Sequence, residues 1–187
     1  MDPELKRQLA ESIKKWEARP RYHDLTPEVL AAVPDDLLEQ AIVDFVTARG
    51  ASADDDLLAL FASLPEGFGI VYSTWVLDAE VDNGGFHQYF WNTGGRYVDL
   101  VTRAVARLGS PEHVRTLEAA VRAFRAGDQP DLSGLEPSEQ LERFSASARA
   151  SGLDPLDSRW YELGGLAAAR VRFIRDAPAL FTARLKG

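Results

Sequence analysis

The chain has 187 residues, 45% of them hydrophobic and 27% charged, enough for one soluble domain with a proper core. It contains no cysteine, which excludes disulfides and thiolate sites and suits a reducing compartment. A net charge of −8 repels nucleic acid and anionic lipid and attracts basic surfaces.

The charge is unevenly placed. Between Asp24 and Asp82, thirteen acids meet a single base, Arg49, a net −12, while residues 1–23 and 83–187 each carry +2. The N-terminal stretch MDPELKRQLAES is polar and lacks the apolar run of a signal peptide. The central uncharged run from Gly67 to Leu77 is 11 residues long, too short to span a bilayer. The expectation is a cytoplasmic protein of bacterial type that binds neither membrane nor nucleic acid directly.

Taken in chain order, the apolar spacing is helical almost throughout. Leu5, Leu9, Ile13 and Trp16 stripe the first segment at steps of four, four and three. Thr26-Pro27-Glu28 then joins a hydroxyl N-cap, a proline at the first helical position and an acid in the first turn. Leu38, Ala41, Ile42 and Phe45 mark the next helix. Ser52 precedes Asp54, Asp55 and Asp56, so those aspartates are expected at the positive end of a helix dipole. Phe68, Val71, Tyr72, Trp75 and Ala79 fall on one face of a buried helix running to Asp82. Further stripes follow at Tyr97–Leu108 and Val114–Phe124, the second opened by Ser110-Pro111-Glu112. Gly127–Pro137 reads as a loop, and Leu163, Leu166, Ala167, Arg170, Val171 and Ile174 read as one last long face. Gly50, Gly109, Gly127 and Gly152 each follow a periodic run, as helix stops do. No period-two pattern and no internal repeat appear. The fold class expected is all-α, a single compact domain over residues 1–187 with seven to ten helices.

Between the two central stripes lies VDNGGFHQYFWNTGGR, residues 81–96. Asn83-Gly84 alone would suggest a hairpin. The periodicity before it, and Phe86, Tyr89 and Phe90 after it at steps of three and four, favour a break between two helices instead. One glycine would take positive φ, and Asn83 would cap the helix that follows. The rings of Tyr72, Trp75, Phe86, Tyr89, Phe90 and Trp91 are expected to pack as core, with Gln88, Asn83 and Asn92 as capping or buried hydrogen-bonding groups.

Chemistry is thinly signalled. Glu80, Asp82 and His87 are close in sequence but lack the spacing of a metal site, and His23 and His113 are isolated. No G-x-S-x-G elbow anchors a nucleophile. Gly94-Gly95-Arg96 is a weak anion-binding signal that a helix cap explains equally well. The residues thus suggest no catalytic group, no metal and no cofactor. Arg159, Arg170, Arg172, Arg175 and Arg184 tint the C-terminal helices basic and are expected to pair with the acids of Asp24–Asp82, within the fold or across a homodimer.

Glu80 followed by Asn83-Gly84-Gly85-Phe86-x-Gln88-Tyr89-Phe90-x-Asn92, eight fixed identities in ten positions, resembles the core motif of a bacterial helical family named for DNA-mimic proteins. The resemblance implies an all-helical fold. For the namesake type it also implies an acidic surface that occupies a basic partner such as a DNA-binding regulator. The motif residues themselves are structural, so no carboxylate is carried over from it. The acidic segment supplies the candidate face, with Asp35, Asp36, Asp54, Asp55 and Asp56 foremost. Two alternatives use the same residues differently: a small-ligand binder or enzyme with a pocket beside the Asn83-Gly84-Gly85 corner, and an immunity or toxin-neutralising protein.

Overall fold

The computed structural model describes residues 2–50, 57–127, 134 and 136–184, the side chains of Pro3, Lys15 and Arg184 excepted. Ten α-helices follow in order: α1 Pro3–Glu17, α2 Pro27–Ala32, α3 Asp35–Thr47, α4 Leu57–Ala62, α5 Glu66–Thr93, α6 Val98–Leu108, α7 Pro111–Ala126, α8 Pro137–Ala150, α9 Asp154–Leu163 and α10 Ala167–Asp176. A 3₁₀ turn, Pro178–Phe181, ends the helical run. Helix covers 78% of the described residues, which makes the class all-α. Extended structure among them is one two-residue antiparallel pairing of β1 (Asp24–Leu25) with β2 (Ala183–Arg184), which ties the segment before α2 to the one after the 3₁₀ turn.

The start signals act as the sequence implies. The Thr26 hydroxyl accepts the Val29 N–H at 3.3 Å with Pro27 opening α2. Ser110 and His113 form a reciprocal capping box at the start of α7. His113 Nε2 also lies 2.9 Å from the Gly164 carbonyl, which fixes it as the donating nitrogen and leaves Nδ1 to accept from the Ser110 N–H.

Two apolar clusters fill the interior, and α5 runs through both. Its first half packs Phe68, Val71 and Tyr72 against Leu38, Ile42 and Phe45 of α3, Ile174 of α10 and Phe181. The approach there is close: a Cβ on Gly67 would lie 2.6 Å from the Leu180 carbonyl oxygen. The second half packs Phe86, Tyr89 and Phe90 against Val101 and Val105 of α6, Leu117 and Val121 of α7 and Trp160 of α9. The expected single ring cluster is therefore divided. Tyr72 and Trp75 pair in the first cluster, Phe86, Tyr89 and Phe90 sit in the second, and Trp91 packs edge-on to Phe144 of α8.

Two sequence expectations are corrected. Ala79 is exposed, because the buried face of α5 drifts onto Leu77, Asp78 and Val81. The last long face is two helices, separated where Gly164 takes φ 74° and lets the chain turn back onto α5. The Gly127–Pro137 loop lies largely outside the described residues, as do Ser52 and Asp54–Asp56.

The turn after Gly164 places Arg170, 2% exposed, between two helices. It donates to Asp78 of α5 at 2.7 Å and to Glu39 of α3, while Asp78 also accepts the Leu166 N–H at 2.7 Å. Arg175 donates to Asp35 at 2.6 and 2.9 Å and to the carbonyl of Leu30 at the end of α2. Arg170 and Arg175 thus pair with the acidic segment inside the fold, whereas Arg159 pairs at 3.0 Å with Glu162 of its own helix.

Candidate functional site

The corner lies in the middle of α5, where Gly84 (φ −165°, ψ 28°) and Gly85 (φ 74°, ψ −179°) leave helical geometry. The second conformation is essentially confined to glycine. A helix broken here must find new partners for a carbonyl before the break and an N–H after it. Helix α9 supplies both. The Tyr161 hydroxyl donates to the Val81 carbonyl at 2.7 Å, and the Phe86 N–H donates to the Asp157 carboxylate at 2.7 Å. A Cβ on Gly85 would sit 2.4 Å from Asp157 Oδ2, so the glycine serves close approach as well as φ. Burial pushes the Asp157 carboxyl above its ordinary range, and the Phe86 N–H acts against that shift.

Asn83 is not the cap. It is exposed, nothing in the structure explains its identity, and Asp157 holds the N–H in its place. The sequence signal for this clasp was present as Asp157 and Tyr161, four apart and hence on one helix face. It carried no mark of which break it served.

The remaining motif polar groups are spent on one another. Glu80, before the break, accepts from the Gln88 and Asn92 amides after it, each at 2.8 Å. One carboxylate thereby spans the kink. Phe86 packs edge-on to Trp160 at 5.4 Å and Phe90 stacks on Phe124 at 4.3 Å, fixing the second half of α5 to α9 and α7. Gly94 and Gly95, with φ 57° and 70°, end the helix. Glu80, Asp82 and His87 do not converge. Among the described residues no group of three His, Cys, Asp or Glu is placed to hold a metal.

His87 faces another neighbour. Its Nε2 lies 3.1 Å from the Ser147 hydroxyl of α8, its ring meets Phe144 edge-on at 4.6 Å, and Nδ1 is buried without a partner among the described residues. Burial lowers its pKa from the ordinary histidine value. A cavity of about 520 Å³ opens at this place, walled by His87, Trp91, Phe124, Ala146, Ser147 and Ser151 among others. It exists because α8 lies over α5 with small side chains toward the gap and buries none of its own residues. Glu80, Gln88 and Asn92 do not line it.

The acidic segment is partly consumed by the fold. Glu39 and Asp78 hold Arg170, Asp44 holds Arg19 at 2.7 Å, and Glu80 holds its two amides. Asp35 and Asp36 both occupy the first turn of α3, where they favour the helix dipole. Asp35, its side chain 72% exposed, is bound to Arg175, while Asp36 is exposed beside it. Glu28, Glu66 and Asp82 are exposed too. Asp54, Asp55 and Asp56 lie outside the described residues. No described helix is long and apolar enough to cross a membrane.

These features define an acidic, all-helical protein organised about a central helix broken at two glycines. The model of the DMP19-like protein family matches residues 62–177, more than half of the chain and all of α5, and the chain belongs to that family. No curated protein and no solved structure matches it.

Proposed function

We propose that the protein is a non-enzymatic, cytoplasmic binding protein whose acidic surface occupies a basic protein partner of the DNA-binding class, in the manner of a DNA mimic. The observation that carries this reading is membership of the DMP19-like family across residues 62–177. Residues 1–187 are taken as one helical unit, which the passage of α5 through both core clusters supports.

Charge sets the geometry required. Carboxylates three or four apart on a helix lie about 5–6 Å from each other. DNA presents about one charge per 1.7 Å of its axis. A single helix is too sparse, so the face must draw on several. Asp35 and Asp36 on α3, with Asp54, Asp55 and Asp56, form its proposed centre. Exposed Glu28, Glu66 and Asp82 from α2 and α5 are further contributors.

A mimic and DNA compete for the same surface, which gives the test. Partner captured by the immobilised protein from an extract of its native host should be released by duplex DNA and by raised salt. Reversal of Asp36, Asp55 and Asp56 to lysine should cut capture at least tenfold with the circular dichroism spectrum unchanged. Capture that duplex DNA does not displace would refute mimicry.

The cavity at His87 favours a second reading, a binder of a small neutral molecule, since about 520 Å³ lies within the range of ligand pockets. The cavity walls named above carry rings, small side chains and two hydroxyls, and no formal charge. Under this reading the neutral fluorescent probe N-phenyl-1-naphthylamine should brighten on mixing with the protein, and Ala146→Phe should abolish the effect by filling the space. A probe that stays dark with the wild-type protein disposes of this reading.

A further inference from the structure

Every residue of α1 whose side chain is described is exposed. The stripe of Leu5, Leu9, Ile13 and Trp16 is uncovered, at 54%, 51%, 49% and 51% exposure. The opposite side is organised by its own ion pairs, Arg7 with Glu4 at 2.7 Å and with Glu11 at 3.1 Å. A firm tether to the body lies just past the C-terminal end. Arg19 donates to both oxygens of Asp44 at 2.7 and 2.8 Å and lays its guanidinium 3.7 Å from the centre of the Trp16 ring. A helix of 15 residues is marginal alone in water and ordinarily depends on covering its apolar face. This one is anchored at one end with that face left open.

We propose that the stripe docks against the same stripe of a second copy, the two α1 helices antiparallel about a twofold axis. An isologous pairing brings each residue opposite one of complementary position. Leu5 then lies across from Trp16 of the other copy, and Leu9 across from Ile13. The charges at the edge of the stripe select the direction. Lys6 and Glu17, both exposed, flank the same side of it, eleven positions apart. An antiparallel pair sets same-side flanks against each other, so Lys6 of each copy meets Glu17 of the other, twice. A parallel pair would set that side against Gln8 and Ser12, which offer no acid. The polar face carries both signs, Glu4, Glu11 and Glu17 with Lys6, Arg7 and Lys14, unlike the basic face that anionic lipid selects. Two helices of this length bury less than a standard interface, so the dimer is reversible. The surface lies outside residues 62–177 and is independent of the partner-binding proposal.

Sedimentation equilibrium of the full chain over a hundredfold concentration range tests this. The wild type should pass from monomer to dimer, and Leu9→Glu with Ile13→Glu should remain monomeric with unchanged helicity, since both positions are exposed. Lys6→Glu alone and Glu17→Lys alone should each weaken association severalfold, and the two together should restore it. A wild type that stays monomeric throughout overturns the proposal. Failure of the double swap to recover association overturns the antiparallel register. Binding to phosphatidylglycerol vesicles that Leu9→Glu abolishes, without any dimer, would reassign the face to membrane and overturn it as well.

Discussion

Replacing Arg170 by methionine should lower the unfolding free energy by about 3–5 kcal/mol, because it strips the cation from two carboxylates that the fold holds inside. Arg170 is 2% exposed and bridges Glu39 of α3 to Asp78 of α5. Without it Asp78 keeps the Leu166 N–H but loses its counter-charge in a setting that water barely reaches. Coulomb attraction is strong there for the same reason that the unpaired charge is costly. Urea unfolding checks the value. A companion variant carrying Arg170→Met, Glu39→Gln and Asp78→Asn should recover part of the loss, since it removes the stranded charges with the cation. A single-variant loss under about 1 kcal/mol would mean that the carboxylates find water or another partner, and that the triad does not organise α3, α5 and α10.

The second large effect is expected at Gly85. Alanine there must hold φ near 74° with ψ near 180°, a conformation that costs a non-glycine residue about 1–3 kcal/mol. Its Cβ would also stand 2.4 Å from Asp157 Oδ2, forcing the carboxylate off the Phe86 N–H and losing a cap that contributes about 1 kcal/mol. The two effects together place Gly85→Ala at about 2–4 kcal/mol. Gly84 makes an internal control. Its φ of −165° lies outside the left-handed region that favours glycine, and its added Cβ would meet the movable end of Gln88 at 2.2 Å. Swinging Gln88 away from Glu80 costs about 1 kcal/mol. Pairing Gly85→Ala with Asp157→Ala should give less than the sum of the single losses, because the clash and the cap share one carboxylate. Equal melting temperatures for the Gly84 and Gly85 variants would remove the conformational argument.

The helical class was legible because every long stripe has the 3.6-residue period, and Thr26-Pro27 and Ser110-Pro111 marked helix starts that the structure keeps. The corner was legible in part. Glycine pairs announced a break, yet the sequence put its cap on the adjacent Asn83, while the fold uses Asp157 on a helix that local reasoning cannot bring near. Arg170 was visible as one base in a helical stripe. Only the turn at Gly164 shows that it faces inward between two acids. The −12 charge of residues 24–82 could likewise be counted in the sequence, but which acids turn inward depends on partners in α10 and at Arg19. The cavity left no trace, because it results from what α8 does not fill.

The clasp on α5 has a bearing on how the chain assembles. The groups that close the joint lie 71 and 80 positions further on, so both halves of the central helix leave the ribosome long before α9 does. Until then, water must serve the carbonyl of Val81 and the amide of Phe86, and the glycine pair is a swivel. Joining segments so distant carries a loop-closure cost that later contacts must offset, and it slows folding relative to local helix pairing. Arg170 imposes the same delay on the other half of the molecule, since Glu39 and Asp78 wait for it as well. Assembly of the joint and of the triad is therefore completed only once α9 and α10 have been made.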